Sequence, residues 1–141
     1  MECFQVDFVK ALWEKDEREY QYAAIDYLSR TLKKLDKAHL PLIEELIVTK
    51  SWWDTVDLLA TKPVGTIARK HPEVISETIE TYAFGEHLWL RRTAILFQLK
   101  YKEHTDEELL YRYIRQNQTS KEFFIQKAIG WALRELSLIH I

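Results

Sequence analysis

The chain is expected to be all-α, an α-α superhelix built of helix pairs, on three observations. Glycine and proline are scarce, three of each in 141 residues, whereas Leu, Ile, Lys, Glu and Arg are plentiful and favour helices over turn-rich β architecture. Apolar residues recur at helical spacing from Phe4 to Leu136. The interruptions are short and fall where helices tolerate them. Pro41, Pro63 and Pro72 each suit a first helical turn, where a missing N–H costs little, and Gly85 precedes the helix that carries Arg92.

Taken in order, the spacing predicts helices over 3–14, 18–33, 40–49, 52–60, 63–70, 72–84, 87–101, 105–116 and 120–137. Ser51 is the expected cap of the fourth, with Asp54 at its third helical position complementing the macrodipole. Thr105 and Glu108 have capping-box spacing at the eighth, and Ser120 is the expected cap of the ninth. Antiparallel pairs of about 35 to 45 residues joined by short loops are the arrangement of HEAT-like solenoids. A compact irregular bundle fits the same pattern, because the segment from His87 to Tyr101 is apolar on more than one side. Periodicity does not separate the two.

A length of 141 residues and an apolar fraction of 47% suit one domain with a real core. The single Cys3 excludes an internal disulfide, no Cys/His spacing resembles a zinc motif, and a reducing cytoplasmic setting is expected. No apolar run approaches the roughly 20 residues of a membrane span, and no basic-then-apolar secretion signal opens the chain, so a soluble protein is expected. A net charge of −2 argues against a globally basic nucleic-acid binder and leaves room for one basic face. Glycine-rich phosphate loops, His-Glu metal motifs and Ser-His-Asp sets are absent, so neither nucleotide hydrolysis nor metal chemistry is expected.

The chemistry concentrates around Ser51-Trp52-Trp53-Asp54-Thr55-Val56-Asp57. Trp53 and Asp57 stand four apart and share a helical face, an aromatic surface beside an anionic acceptor that suits a cationic or electron-poor ligand. Tryptophans of helical proteins are usually core, yet adjacent residues point about a hundred degrees apart, so one interface rarely buries both indoles. Arg92 lies in the stripe Leu88, Arg92, Ile95, Leu99 and needs an anion, either a phosphate or an internal partner such as Asp57. Trp131 flanks the stripe Ile125, Ile129, Ala132, Leu136, and Gly130 before it allows another backbone to approach. Lys127 and Arg134, seven apart on one side of the last helix, have a spacing that follows a phosphate backbone; a solvated face is the plainer account.

Three ordered segments carry a family resemblance: 48–57 (VTKSWWDTVD), 89–101 (WLRRTAILFQLKY) and 120–131 (SKEFFIQKAIGW). They resemble the AlkD-type DNA alkylation repair glycosylases, and the similarity runs through the intervals between them up to Glu135. The resemblance implies a HEAT-like solenoid that holds duplex DNA and excises N3-alkylpurines and N7-alkylguanine with no metal or organic cofactor. It places the catalytic aspartate at Asp57, sugar-contacting tryptophans at Trp53 and Trp131, and the active-site arginine at Arg92. Lys100 and Arg134 fall where that family has basic residues towards the DNA backbone, and Lys127 joins them on spacing. The expected partner is duplex DNA carrying alkylated purines, bound by a monomeric bacterial protein of the cytoplasm. A non-enzymatic helical-repeat module for DNA or protein is the alternative.

Two departures from the family pattern bear on the ends. Family members have a helical stretch before the position of Met1 and further helices after Glu135, so the chain reads as a truncated repeat domain over 1–136. The ending Ser137-Leu138-Ile139-His140-Ile141 resembles the translation of a transposon-end sequencing adapter, and 137–141 is expected to be a non-native tail.

Overall fold

The computed structural model describes residues 3–140; Met1, Glu2 and Ile141, at the outer ends of the expected domain and tail, lie outside them. Among the described residues there are α-helices and short 3-10 and π turns, and no strand. In chain order the α-helices are α1 Val6–Glu14, α2 Arg18–Arg30, α3 Leu40–Val48, α4 Trp53–Leu59, α5 Gly65–Lys70, α6 Glu80–Phe84, α7 Leu88–Leu96, α8 Glu107–Asn117 and α9 Phe123–Ile139. Each follows from an apolar face that has to be covered; α9, for example, buries Ile125, Ala128, Ile129, Ala132 and Leu136 at three- and four-residue spacing.

The helices form two layers. In one, α2, α4, α7 and α9 lie side by side, and each neighbouring pair makes contact. Arg92 near the middle of α7 bonds the Phe124 carbonyl at the start of α9, while Leu99 beyond α7 lies beside Leu136 late in α9, so these two helices run in the same direction. The other layer holds α1, α3, α6 and α8: the Trp13 indole donates to the Thr49 carbonyl past the end of α3, and Asn117 of α8 donates to the Ala83 carbonyl of α6.

These links recur at nearly constant separation in the chain. Trp13 to Thr49 and Arg18 to Asp54 span 36 residues, Asp57 to Arg92 spans 35, and Ala83 to Asn117 spans 34. Each helix pair is therefore laid on the preceding one with a spatial period that the sequence does not display as self-similarity, which is the architecture of a helical repeat. Two apolar clusters fill the space between layers. The larger joins α1 to α7, and the second, built on Ile95, Leu96, Leu110, Ile125, Ala128 and Ile129, seats α9. Each such Leu or Ile contributes about 1.5–3 kcal/mol on burial.

Several local expectations are corrected. Segments 52–60 and 63–70 are one continuous helix, because a π turn over Ala60–Val64 widens the backbone around Pro63 and absorbs its missing N–H. A second π turn, Ile75–Ile79, leads into α6. Ser51 does not cap α4; its hydroxyl donates back to the Ile47 carbonyl, and Trp52 occupies the cap position. Thr105 likewise donates back to Lys102, leaving Asp106 to accept from the Leu109 N–H as the cap of α8. Both hydroxyls find a free carbonyl in the turn behind them before an amide ahead. Ser120 accepts from the Glu122 N–H, one residue short of α9. Helix α9 continues through Ile139, which packs against the second cluster.

Candidate active site

The site begins at the turn between α3 and α4, which the α1–α2 corner clamps from three sides. The Trp13 indole donates to the Thr49 carbonyl at 2.8 Å, the Arg18 guanidinium donates to the Lys50 carbonyl at 2.7 Å, and the Lys50 ammonium reaches the Lys15 carbonyl. Lys50 itself has φ of 56°, a left-handed conformation that a side chain disfavours and these contacts hold in place. Arg18 then forks onto Asp54 in the first turn of α4, and the Tyr22 hydroxyl donates to the same carboxylate. Burial alone would raise the Asp54 pKa, but the Arg18 and Tyr22 hydrogen bonds outweigh it and hold this carboxyl below the usual range. Asp54 is thus explained by the fold.

One turn further along α4, Asp57 meets Arg92. The guanidinium Nε and Nη2 donate to the two carboxylate oxygens at 2.8 and 2.9 Å, a bidentate pair in which both side chains are buried. The third donor, Nη1, goes to the Phe124 carbonyl, and the guanidinium lies 5.6 Å from the Phe124 ring centre. Of five guanidinium N–H groups, three are engaged, and two remain. Arg92 therefore ties α4, α7 and α9 together at one point, and the internal partner weighed for it from the sequence is the one it has.

That point is the floor of an open cleft of about 590 Å³, bordered by Trp53 of α4, Arg92 of α7 and Phe123, Lys127, Trp131 and Arg134 of α9. Trp53 and Trp131 are 49% and 41% exposed, values that rule out a core role for either. Trp52 turns away from Trp53 and meets Trp89 and Phe124 edge-on, at 6.0 and 5.1 Å between ring centres. The structure thus brings Trp53, Arg92, Trp131, Lys127 and Arg134 to the cleft, while Asp57 does not line it and joins the group through its bonds to Arg92. Lys100 stands apart from this lining, exposed beyond the end of α7. Sequence reasoning missed Phe123 and Phe124; their adjacency was the same signal that singled out the tryptophan pair. Lys127 lies 5.6 Å over the Phe123 ring.

Among the described residues no group of three or more His, Cys, Asp or Glu is placed to hold a metal ion, and no helix is long and apolar enough to cross a membrane. What the cleft offers is an arginine held by the buried Asp57 carboxylate, two half-exposed indoles and flanking cations. Residues 3–140 match the model of the DNA alkylation repair enzyme family, and the chain belongs to that family. It is also similar to a "predicted DNA alkylation repair enzyme from Enterococcus faecalis", with a TM-score of 0.86 and 34% identity over 95% of this chain. The chain spans 62% of that protein's length. No curated protein matches it.

Proposed function

We propose that the chain carries the active site of a DNA glycosylase that excises cationic alkylpurines, N3-alkyladenine and N7-alkylguanine, from duplex DNA without flipping the base. The observation that supports this most is the Asp57 carboxylate bonded to Arg92, which lines a cleft walled by Trp53 and Trp131. An alkylated purine already carries positive charge and leaves readily. As the bond from C1′ to the purine nitrogen breaks, its electron pair departs with the base, which becomes neutral, and the sugar becomes an oxocarbenium-like cation. Water adds at C1′ and its proton leaves towards the Asp57 carboxylate, giving free base and an abasic site.

Asp57 stabilises the sugar cation and orients the water, and Arg92 keeps both carboxylate oxygens in place while its two remaining N–H groups face an adjacent phosphate. Trp53 and Trp131 pack their faces on the deoxyribose, where a cation gains from an aromatic surface. Lys127 and Arg134, with Lys100 further out, hold the DNA backbone.

Base release from methylated duplex DNA tests the proposal. The expected products are 3-methyladenine and 7-methylguanine, with no release of uracil or hypoxanthine, which carry no positive charge in the nucleotide and would have to leave as anions. Binding of the same duplex with no base released would instead favour a helical-repeat binding module.

A further inference from the structure

The three glycines of the chain are not alike. Gly65 is required by packing, since a Cβ there would stand 2.9 Å from the Phe97 carbonyl. Gly130 is the opposite case: it lies in the interior of α9, exposed, and a Cβ built on it meets no atom within 4 Å. It does not have a positive φ, so its backbone conformation suits any residue. A glycine inside a helix costs about 1 kcal/mol relative to alanine, and no described residue packs on Gly130 to offset that. Among the described residues no backbone approaches Gly130.

The surroundings of Gly130 indicate what the open patch suits. Gly130 borders the cleft, and Lys127 and Arg134 lie three residues before it and four after it on the same face of α9. At 1.5 Å of rise per residue, the two cations bracket the bare patch over about 10 Å of helix. Trp131 stands beside it at the cleft wall. A cationic clamp with no side chain between its arms fits a polyanionic chain lying directly on the helix backbone.

We infer that Gly130 is the seat of the DNA sugar-phosphate backbone on α9, held by Lys127 and Arg134 so that the deoxyribose reaches Trp131. This rests on the proposed DNA substrate. The contact is steric, so filling it stabilises the protein and weakens the complex.

The test uses the variants Gly130→Ala and Gly130→Leu, with Leu133→Ala as a control at an exposed α9 position away from the cleft. Thermal unfolding is measured together with equilibrium binding to a duplex bearing one 7-methylguanine. Gly130→Ala is expected to unfold at higher temperature than wild type, to lose about tenfold in affinity, and Gly130→Leu about a hundredfold. The salt dependence of binding should not change, because no charge is removed. Leu133→Ala should bind as wild type does. Undiminished affinity in both glycine variants, or a lower unfolding temperature for Gly130→Ala, overturns the inference. If the wild type itself neither binds nor excises, the proposed function fails first; if it does both and the glycine series is flat, this inference alone fails.

Discussion

Asp57 and Arg92, 35 residues apart in the chain, meet through two parallel hydrogen bonds of 2.8 and 2.9 Å. The pair is a structural joint between α4 and α7, and its arginine lines the cleft, so stability and activity should separate on substitution. Arg92→Ala leaves a buried carboxylate without its partner, and chemical denaturation should show a loss of about 3 kcal/mol. A loss below half of that would mean that Asp57 is rescued by solvent from the cleft.

Asp57→Asn keeps the shape of the side chain and removes its charge. Single-turnover excision of 7-methylguanine should fall by about two to three orders of magnitude, as when other electrostatic stabilisers of a transition state are lost. Duplex binding should persist, since the phosphate contacts lie elsewhere. Full activity in this variant would remove Asp57 from the mechanism.

Lys100, Lys127 and Arg134 are proposed to make one phosphate contact each. Neutralising any one should lower the slope of log affinity against log salt by roughly 0.9. Three unchanged slopes would leave the basic stripe as a solvated surface.

Arg18 acts on the site through α4, without touching the cleft. Arg18→Met leaves the Lys50 carbonyl and the Asp54 carboxylate short of a donor, and should cost about 2 kcal/mol. Lys50→Gly relieves the left-handed φ of 56° and should recover part of that loss in the double variant. Additive unfolding free energies with no gain from Lys50→Gly would count against the clamp.

The same cluster sets an acid limit. Asp54 is held below the usual carboxylate range when folded, so its contribution is present above the unfolded value of about 3.9 and is lost as pH falls through the folded value. Wild type should be more stable than Asp54→Asn at pH 7, and the gap should close on acidification below about pH 4. A gap independent of pH would show that packing, not charge, makes the difference.

Much of this protein was legible in one dimension. Apolar spacing located the helical segments, since each helix has to cover one face whatever its neighbours are, but 52–60 and 63–70 run together, 72–84 opens through a π turn before α6, and 87–101 ends as an α-helix at Leu96. The adjacent indoles Trp52 and Trp53, the arginine inside the apolar stripe of α7 and Gly130 marked the proposed site, because each is a residue that local helix formation does not ask for. The caps were misread at Ser51, Thr105 and Ser120, where a hydroxyl chooses between two backbone partners within hydrogen-bond reach and the sequence specifies neither.

Tertiary structure decided what depends on distance between turns of the repeat. The sequence left Arg92 a choice between phosphate and carboxylate, and stacking of α7 on α4 sets it on Asp57. The sequence set Trp52 and Trp53 apart in direction without saying which faces the cleft, and the ring of Phe124 on α9 takes Trp52. It also split α4 from α5 at Pro63, where packing on both sides keeps the helix running through a π turn. Periodicity reports a helix's own buried face; which side chain of another helix meets it is fixed by how layers about 35 residues apart come to rest on each other.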